Sequence, residues 1–269
     1  MLPRGVTGYR MEDVEPALLP PRTPWPAGFP QVVVHTETAL RDNHPEYLAA
    51  KSGDAEAALV LAIDLLTDVG SEAIRELLAG EPAILLPITA EETLGFNAIP
   101  DAMAQVLARE LNLPVSSGEI VQSNTVGHTR APAFNRLVTP AMFEGEVEFG
   151  ARYVLVDDHV GVGGTLANLK GYVETHGGRV VAMTTLTKSR DAHQIALRPE
   201  TLAVLRGKHG EALEEFWHEQ LGHGLDCLTD VEGQILGREP TLAAIQGRLA
   251  QAEIEARGRG VEPAVGAGG

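Results

Sequence analysis

The sequence predicts an α/β protein with a central parallel sheet flanked by helices. Three observations predict it. Aromatic residues make up 4% of the chain against 44% hydrophobic residues overall, so the core is aliphatic. Strand-length apolar runs recur at "PAILLPIT" from Pro82, "RYVLVD" from Arg152 and "RVVAMTTLT" from Arg179. Helical spacing fills the stretches between them, the alternation that parallel strands with right-handed crossovers require. At 269 residues the chain can bury one substantial core or two small ones.

In chain order, residues 1–30 carry many prolines ("LLPPRTPWPAGFP") and read as an extended arm. Such an arm is free to pack on a partner subunit, so a homodimer is allowed. A helical lead-in runs from Pro45 to Leu78, broken at Ser52 and Gly53, with Asp54 as an N-cap. "PAILLPIT" is a strand, and "NAIPDAMAQVLAREL", Asn97 to Leu111, is a helix with Pro100 in its first turn. "EIVQS" (Glu119 to Ser123) and "RLVTP" (Arg136 to Pro140) read as short strands flanking a polar stretch, Asn124 to Asn135, that is long enough to be a lid. "RYVLVD" makes a strand, "TLANLKGYVETHGG" a helix closed by Gly177 and Gly178, and "RVVAMTTLT" a further strand. One domain therefore covers 31–236, including the lead-in and a hood, and 237–269 forms an amphipathic helix with a glycine-rich tail.

Charge and cysteine content exclude several functions. Lys plus Arg number 21 against 37 Asp plus Glu, a net charge of -16, which repels polyanions and argues against a nucleic acid partner. The single Cys227 leaves no intrachain disulfide framework or cysteine-rich zinc site, as expected of a cytoplasmic protein. No apolar run approaches about 18 residues and the first residues lack a signal pattern, so no membrane association is expected.

The chemistry concentrates in "YVLVDDHVGVGGTL", Tyr153 to Leu166. A dinucleotide fingerprint fails here, because counting from Gly161 and Gly163 the third glycine falls on Leu166 and the acidic pair precedes the turn. A P-loop fails because no glycine loop ends in Gly-Lys-Ser/Thr. A ribose 5-phosphate pocket fits. Asp157 and Asp158, at the C-terminal end of a parallel strand, can accept hydrogen bonds from two vicinal sugar hydroxyls. Gly161, Val162, Gly163 and Gly164 then turn into a helix whose free N–H groups face an anion, and Thr165 adds a hydroxyl donor. The helix dipole contributes only roughly 0.3–1 kcal/mol, so the N–H groups must act together.

This stretch resembles the signature of the type I phosphoribosyltransferases: four apolar residues, two acidic residues and a glycine turn ending in Gly-Gly-Thr. The likeness in order of elements spans residues 80–190. It implies transfer of ribose 5-phosphate from phosphoribosyl pyrophosphate (PRPP) to a nucleobase or other nitrogenous base, with Mg²⁺, releasing pyrophosphate. By the same resemblance Thr89, Ala90, Glu91 and Glu92 form a pyrophosphate loop, and Asn124 to Asn135 the lid. Arg130 in that lid and Arg136 at its end would bind pyrophosphate, the other reading being solvated loop charges. "GHGLDCLTD", Gly222 to Asp230, is similar to a strand near the carboxy end of hypoxanthine-guanine phosphoribosyltransferases. That similarity implies Asp226 as a metal residue, Lys188 as a donor to a purine carbonyl, and a purine-like acceptor. Phe216 and Trp217 would stack the base within the hood, with packing of their helix on the core as the alternative for at least one of them.

The chain also departs from the pattern. Gly161 stands where the purine enzymes carry an acid, so another group must handle the proton, and His159 and His223 are candidates by type. Glu91 and Glu92 repel pyrophosphate unless a metal intervenes. His218 and His223 are five residues apart and do not share a helix face, which excludes a zinc-protease arrangement. Two further readings stay open: a non-catalytic PRPP sensor or regulator, and a transferase with an unusual acceptor.

Overall fold

A computed structural model describes residues 19–92, 95–124, 133–261 and 263, and the side chains of Glu91 and Glu92 lie outside that description. The strands are β1 (Val33–Val34), β2 (Ile84–Pro87), β3 (Glu91–Glu92), β4 (Gly95–Phe96), β5 (Ile120–Gln122), β6 (Phe143–Gly145), β7 (Arg152–Val160) and β8 (Arg179–Lys188). The first helices are α1 (Thr38–Asp42), α2 (Tyr47–Lys51), α3 (Ala55–Leu65), α4 (Asp68–Leu78), α5 (Ile99–Leu111), α6 (Ala133–Val138) and α7 (Gly164–Thr175). A C-terminal group follows: α8 (Pro199–His209), α9 (Glu211–Leu221), α10 (Asp230–Arg238) and α11 (Leu242–Gly258).

β1, β8, β7 and β2 form one parallel sheet in that order, flanked by helices on both faces. Val154, Val156, Ala182 and Leu186 of β7 and β8 pack against α3, α4 and α5 on one face. Tyr153, Leu155, Val180 and Met183 point the other way, against Leu166, Leu169 and Val173 of α7. Two-residue alternation sorts the β7 side chains between layers, and a register shift opposite Tyr153 and Val154 turns β8 over, so that Val180 and Ala182 face opposite layers.

The crossovers locate the functional edge. After β2 the chain passes through α5 on the first face and returns to the outer side of β2, where Val115 and Val121 bridge Leu85 and Thr89. After β7 it passes through α7 on the opposite face and returns as β8 on the other side. The chain thus diverges between β2 and β7, and in open α/β sheets ligands bind in the crevice at the carboxyl ends of such a pair.

Local signals account for the element ends. Asp54 accepts from the backbone N–H groups of Glu56 and Ala57, and Pro100 sits in the first turn of α5. α7 closes where Gly177 takes φ 91°, a conformation that favours glycine. Among the described residues no helix is long and apolar enough to cross a membrane.

Two expectations are corrected. Arg136 to Pro140 is not a strand: α6 occupies Ala133–Val138, and the partner of β5 is β6 in an antiparallel pair. Phe134, Leu137 and Val138, at i, i+3 and i+4, all bury in the C-terminal helical cluster, and Thr139 bonds back to the Asn135 carbonyl. Gly222 to Asp230 is not a strand either. Gly222 ends α9 with φ 72°, Leu225–Cys227 is a 3-10 turn, and Thr229 with Glu232 forms a capping box that starts α10.

The arm is docked where it is described. Lys170, 1% exposed, bonds Thr23 and Glu174 from α7. A Cβ at Gly171 would stand 2.0 Å from the Pro21 carbonyl oxygen, so a side chain there would displace the arm.

Two buried histidines make this fold acid-sensitive. His35 accepts from the Thr67 N–H on Nδ1 and so carries its proton on Nε2, beside the Thr184 hydroxyl. Burial pushes the pKa of His35 down to about 4, and burial together with Arg22 does the same for His223. A lowered histidine pKa means that the unfolded chain protonates first. Their contribution is therefore intact above the ordinary histidine range and lost as pH falls toward 4. Going from pH 7 to pH 5 is expected to remove about 2 kcal/mol of stability per histidine. Urea unfolding of the wild type and of His35→Gln at both pH values checks this: the variant should lose less on acidification, and an equal loss would acquit His35.

Candidate functional site

β7 and β8 stay paired past the aspartates, through His159 with Thr187 and Val160 with Lys188. This fixes the backbone on which the polar residues stand. Asp158 follows Val154 and Val156 toward the face of the N-terminal helices, and there its Oδ2 meets the Lys51 ammonium at 2.8 Å. Asp157 remains half-buried, and its Oδ1 accepts the Asp158 N–H at 2.8 Å.

The two carboxyls are driven apart in acidity. Burial and the neighbouring Asp158 charge push Asp157 well above the usual carboxylate range. Burial opposes ionisation of Asp158 as well, but the Lys51 and Arg41 cations outweigh it and hold that carboxyl low. Two carboxyls this close cannot both ionise freely, so the pair carries its charge mainly on Asp158.

Cations gather at this end of the sheet, against the strongly negative chain as a whole. Arg41 donates from Nη1 to the Thr187 hydroxyl at 2.8 Å, is bonded to Asp42, and stacks 4.8 Å from the centroid of the Tyr47 ring. His159 places Nδ1 2.8 Å from the same hydroxyl and Nε2 3.0 Å from Ser189 Oγ. Burial, followed by Arg41, lowers its pKa, which favours a neutral imidazole at pH 7. Arg136 reaches in from α6: a Cβ at Gly161 would lie 3.1 Å from its Nη1. Lys188 ends β8, and its ammonium bonds the Arg190 carbonyl.

The glycine turn leads straight into α7, with Gly163 at φ 87° as the cap residue. Its glycines also serve packing. A Cβ at Gly163 would come within 2.3 Å of Ile195, and one at Gly164 within 3.0 Å of Glu232 Oε1. The Thr229 hydroxyl bonds the Val162 carbonyl at 2.6 Å, tying the turn to α10. Thr165 is half-buried at the helix start.

The chain is similar to Protein TraN of Escherichia coli. The two are 42% identical over 238 residues, which is 88% of this chain and 53% of that protein. An uncharacterized protein of Haemophilus influenzae is 39% identical over 152 residues, covering 56% of this chain and 34% of its own length. The chain thus spans about half the length of the first of these relatives and a third of the second. No family model matches it. A solved adenine phosphoribosyltransferase aligns over 53% of this chain and 74% of its own with 14% identity, but the TM-score of 0.32 carries no argument about fold or function.

The sequence-predicted residues divide into three groups. Asp157, Asp158, the turn Gly161 to Thr165, Arg136 and Lys188 gather at the ends of β7 and β8. Thr89 and Ala90 follow β2 across the crevice, and the Thr89 carbonyl is tied to Gln122 N–H at 2.9 Å. The backbone of Glu91 and Glu92 forms β3, paired with β4, while Arg130 and residues 125–132 of the expected lid lie outside the described residues. The third group, Phe216 and Trp217, stands apart from these residues. Trp217 is fully buried in the C-terminal helical cluster, the packing role given above as its alternative, and Phe216 is half-buried against the same cluster.

Asp226 lies exposed on the 3-10 turn. Among the described residues no three His, Cys, Asp or Glu side chains converge as metal ligands. Among the described residues the donor set therefore does not fit a metal held by protein side chains alone. His223 is buried against Trp217 and bonds the Gly224 carbonyl, which removes it from the candidates for proton transfer. Arg41 and Lys51 were missed by sequence reasoning, since their partners lie 146 and 107 residues away.

Proposed function

We propose that this chain binds PRPP and transfers its ribose 5-phosphate to a nitrogenous base of purine-like type, releasing pyrophosphate. The observation that carries the reading is the acidic pair of β7, at the divergence of β2 and β7, followed at once by a glycine turn into the start of α7. In this reading the ribose hydroxyls donate to Asp157 and Asp158, and the 5-phosphate lies on the N–H groups of the turn and of α7, with Arg136 beside Gly161. Bond breaking at the anomeric carbon develops positive charge on the ribose, and the ionised carboxylate stabilises that charge where it forms. Any Mg²⁺ would arrive on oxygens of the diphosphate, which that ion prefers to an all-protein cage. The cytoplasm is the proposed compartment.

A PRPP sensor without turnover is the second reading. It is favoured by the burial of Trp217, which removes one expected base-stacking group. Steady-state kinetics with PRPP and hypoxanthine, guanine, adenine, uracil and orotate separate the two. The expected result is turnover with a preference for 6-oxopurines, and Lys188→Ala should raise the KM for the base far more than that for PRPP. A preference for adenine or a pyrimidine would overturn the purine assignment. PRPP binding without turnover on any of the five would favour the sensor or an unusual acceptor.

A further inference from the structure

We propose that Lys51 is the cation of the pyrophosphate side of the site, exchanging Asp158 for the diphosphate of PRPP when the ribose hydroxyls claim that carboxylate. The inference rests on the phosphoribosyl reading above and deepens it.

Placement is the first support. Lys51 ends α2, and that end is fitted against the segment following β2. A Cβ at Gly95 would lie 2.9 Å from the Ser52 carbonyl oxygen, and one at Gly53 3.1 Å from that of Phe96. The Ala98 N–H bonds the Ala50 carbonyl at 3.2 Å. The lysine therefore emerges between the β3–β4 hairpin and the end of β7, where a diphosphate on a ribose held by Asp157 and Asp158 would lie.

Charge is the second. From Thr89 to Phe96 the chain reads "TAEETLGF", with two carboxylates and no cation. A diphosphate bound there needs countercharge from another element. Among the cations near the aspartates, Arg41 is fixed by Thr187, Asp42 and the Tyr47 ring, and Arg136 stands by the glycine turn on the phosphate side. Lys51 is the one whose position and chemistry suit an exchange: its side chain is 18% exposed and its ammonium is a mobile point charge on a flexible stem. Asp158 trades an ammonium donor for hydroxyl donors, and the ammonium trades one oxyanion for another.

Calorimetry with PRPP, ribose 5-phosphate and inorganic pyrophosphate as separate probes tests this. Lys51→Met should weaken PRPP and pyrophosphate by about tenfold or more, the effect of one lost charge-assisted hydrogen bond. Ribose 5-phosphate should bind as well as to wild type, or more tightly, because its hydroxyls no longer compete with the lysine for Asp158. Lys51→Gln, which keeps a donor near Asp158 without the charge, should show the same split and serves if the methionine variant does not fold. Equal losses for PRPP and ribose 5-phosphate would reduce Lys51 to a prop for Asp158 and overturn the inference, as would unchanged PRPP affinity. A wild type that binds none of the three probes overturns the phosphoribosyl reading itself, and this inference with it.

Discussion

Replacing Asp157 and Asp158 together with asparagine is expected to weaken PRPP binding by at least about a hundredfold in a chain that still folds. The ionised Asp158 carboxylate accepting a ribose hydroxyl contributes a charge-assisted hydrogen bond of roughly 1.5–3 kcal/mol, and Asp157 adds a further hydrogen bond of about 0.5–1.5 kcal/mol. The two single variants should differ in stability. Burial and the Asp158 charge push the Asp157 carboxyl toward its neutral form, so Asp157→Asn should cost less stability than Asp158→Asn. Asp158→Asn breaks an ion pair whose members are 9% and 18% exposed. It should lower stability by about 1–3 kcal/mol, since the amide oxygen still accepts from Lys51 but carries no charge. Calorimetry with PRPP and urea unfolding on all three variants measure both effects. Unchanged affinity in a folded double variant would remove the acidic pair from the site.

What could be read from the sequence was local. β7, the glycine turn and α7 follow one another within a single stretch, so apolar run, turn chemistry and helix spacing all point the same way. The α3 cap at Asp54 and the first turn of α5 were legible for the same reason. α6 was misread because Val138 at its end and Thr139 just past it favour strands in isolation. The i, i+3, i+4 spacing of Phe134, Leu137 and Val138 was the signal available, and burial among the C-terminal helices decides in its favour. The capping pair Thr229 and Glu232 was likewise visible as a Thr-x-x-Glu pattern, and it outweighs the strand-like look of the residues before it. The cations had no local signature at all. Arg41 on α1 and Lys51 on α2 lie on short helices and become site residues only because the sheet brings β7 and β8 beneath those helices. Exposure could not be read from residue type either: Trp217 looks like a base-stacking group in sequence and is a core residue in space.

Glu232→Ala should be the most destabilising single substitution proposed for this chain. Glu232 is 2% exposed and takes both η nitrogens of Arg22, itself 6% exposed, at 2.6 and 2.9 Å. It also accepts the Thr229 N–H at 2.9 Å, completing the capping box of α10. Removing the carboxylate leaves the buried guanidinium with Asn168 Oδ1, 2.6 Å from Nε, and takes one bond from the cap. Breaking one side of a buried pair costs about 3–5 kcal/mol, because the remaining charge stays out of water. For a chain of this length that lowers Tm by roughly 10 °C. The effect should reach the ligand site. Thr229 holds the Val162 carbonyl and Glu232 stands against Gly164, so a loosened α10 start loosens the turn that would carry the phosphate. PRPP affinity should therefore fall in Glu232→Ala even at temperatures where the chain remains folded. Replacing both partners, Arg22→Met with Glu232→Met, removes the stranded charge and should recover most of the lost Tm. Thermal unfolding of the single and double variants decides it. A Glu232→Ala protein that melts with the wild type, or a double variant no more stable than the single one, would show that the stranded Arg22 charge is not what the substitution exposes.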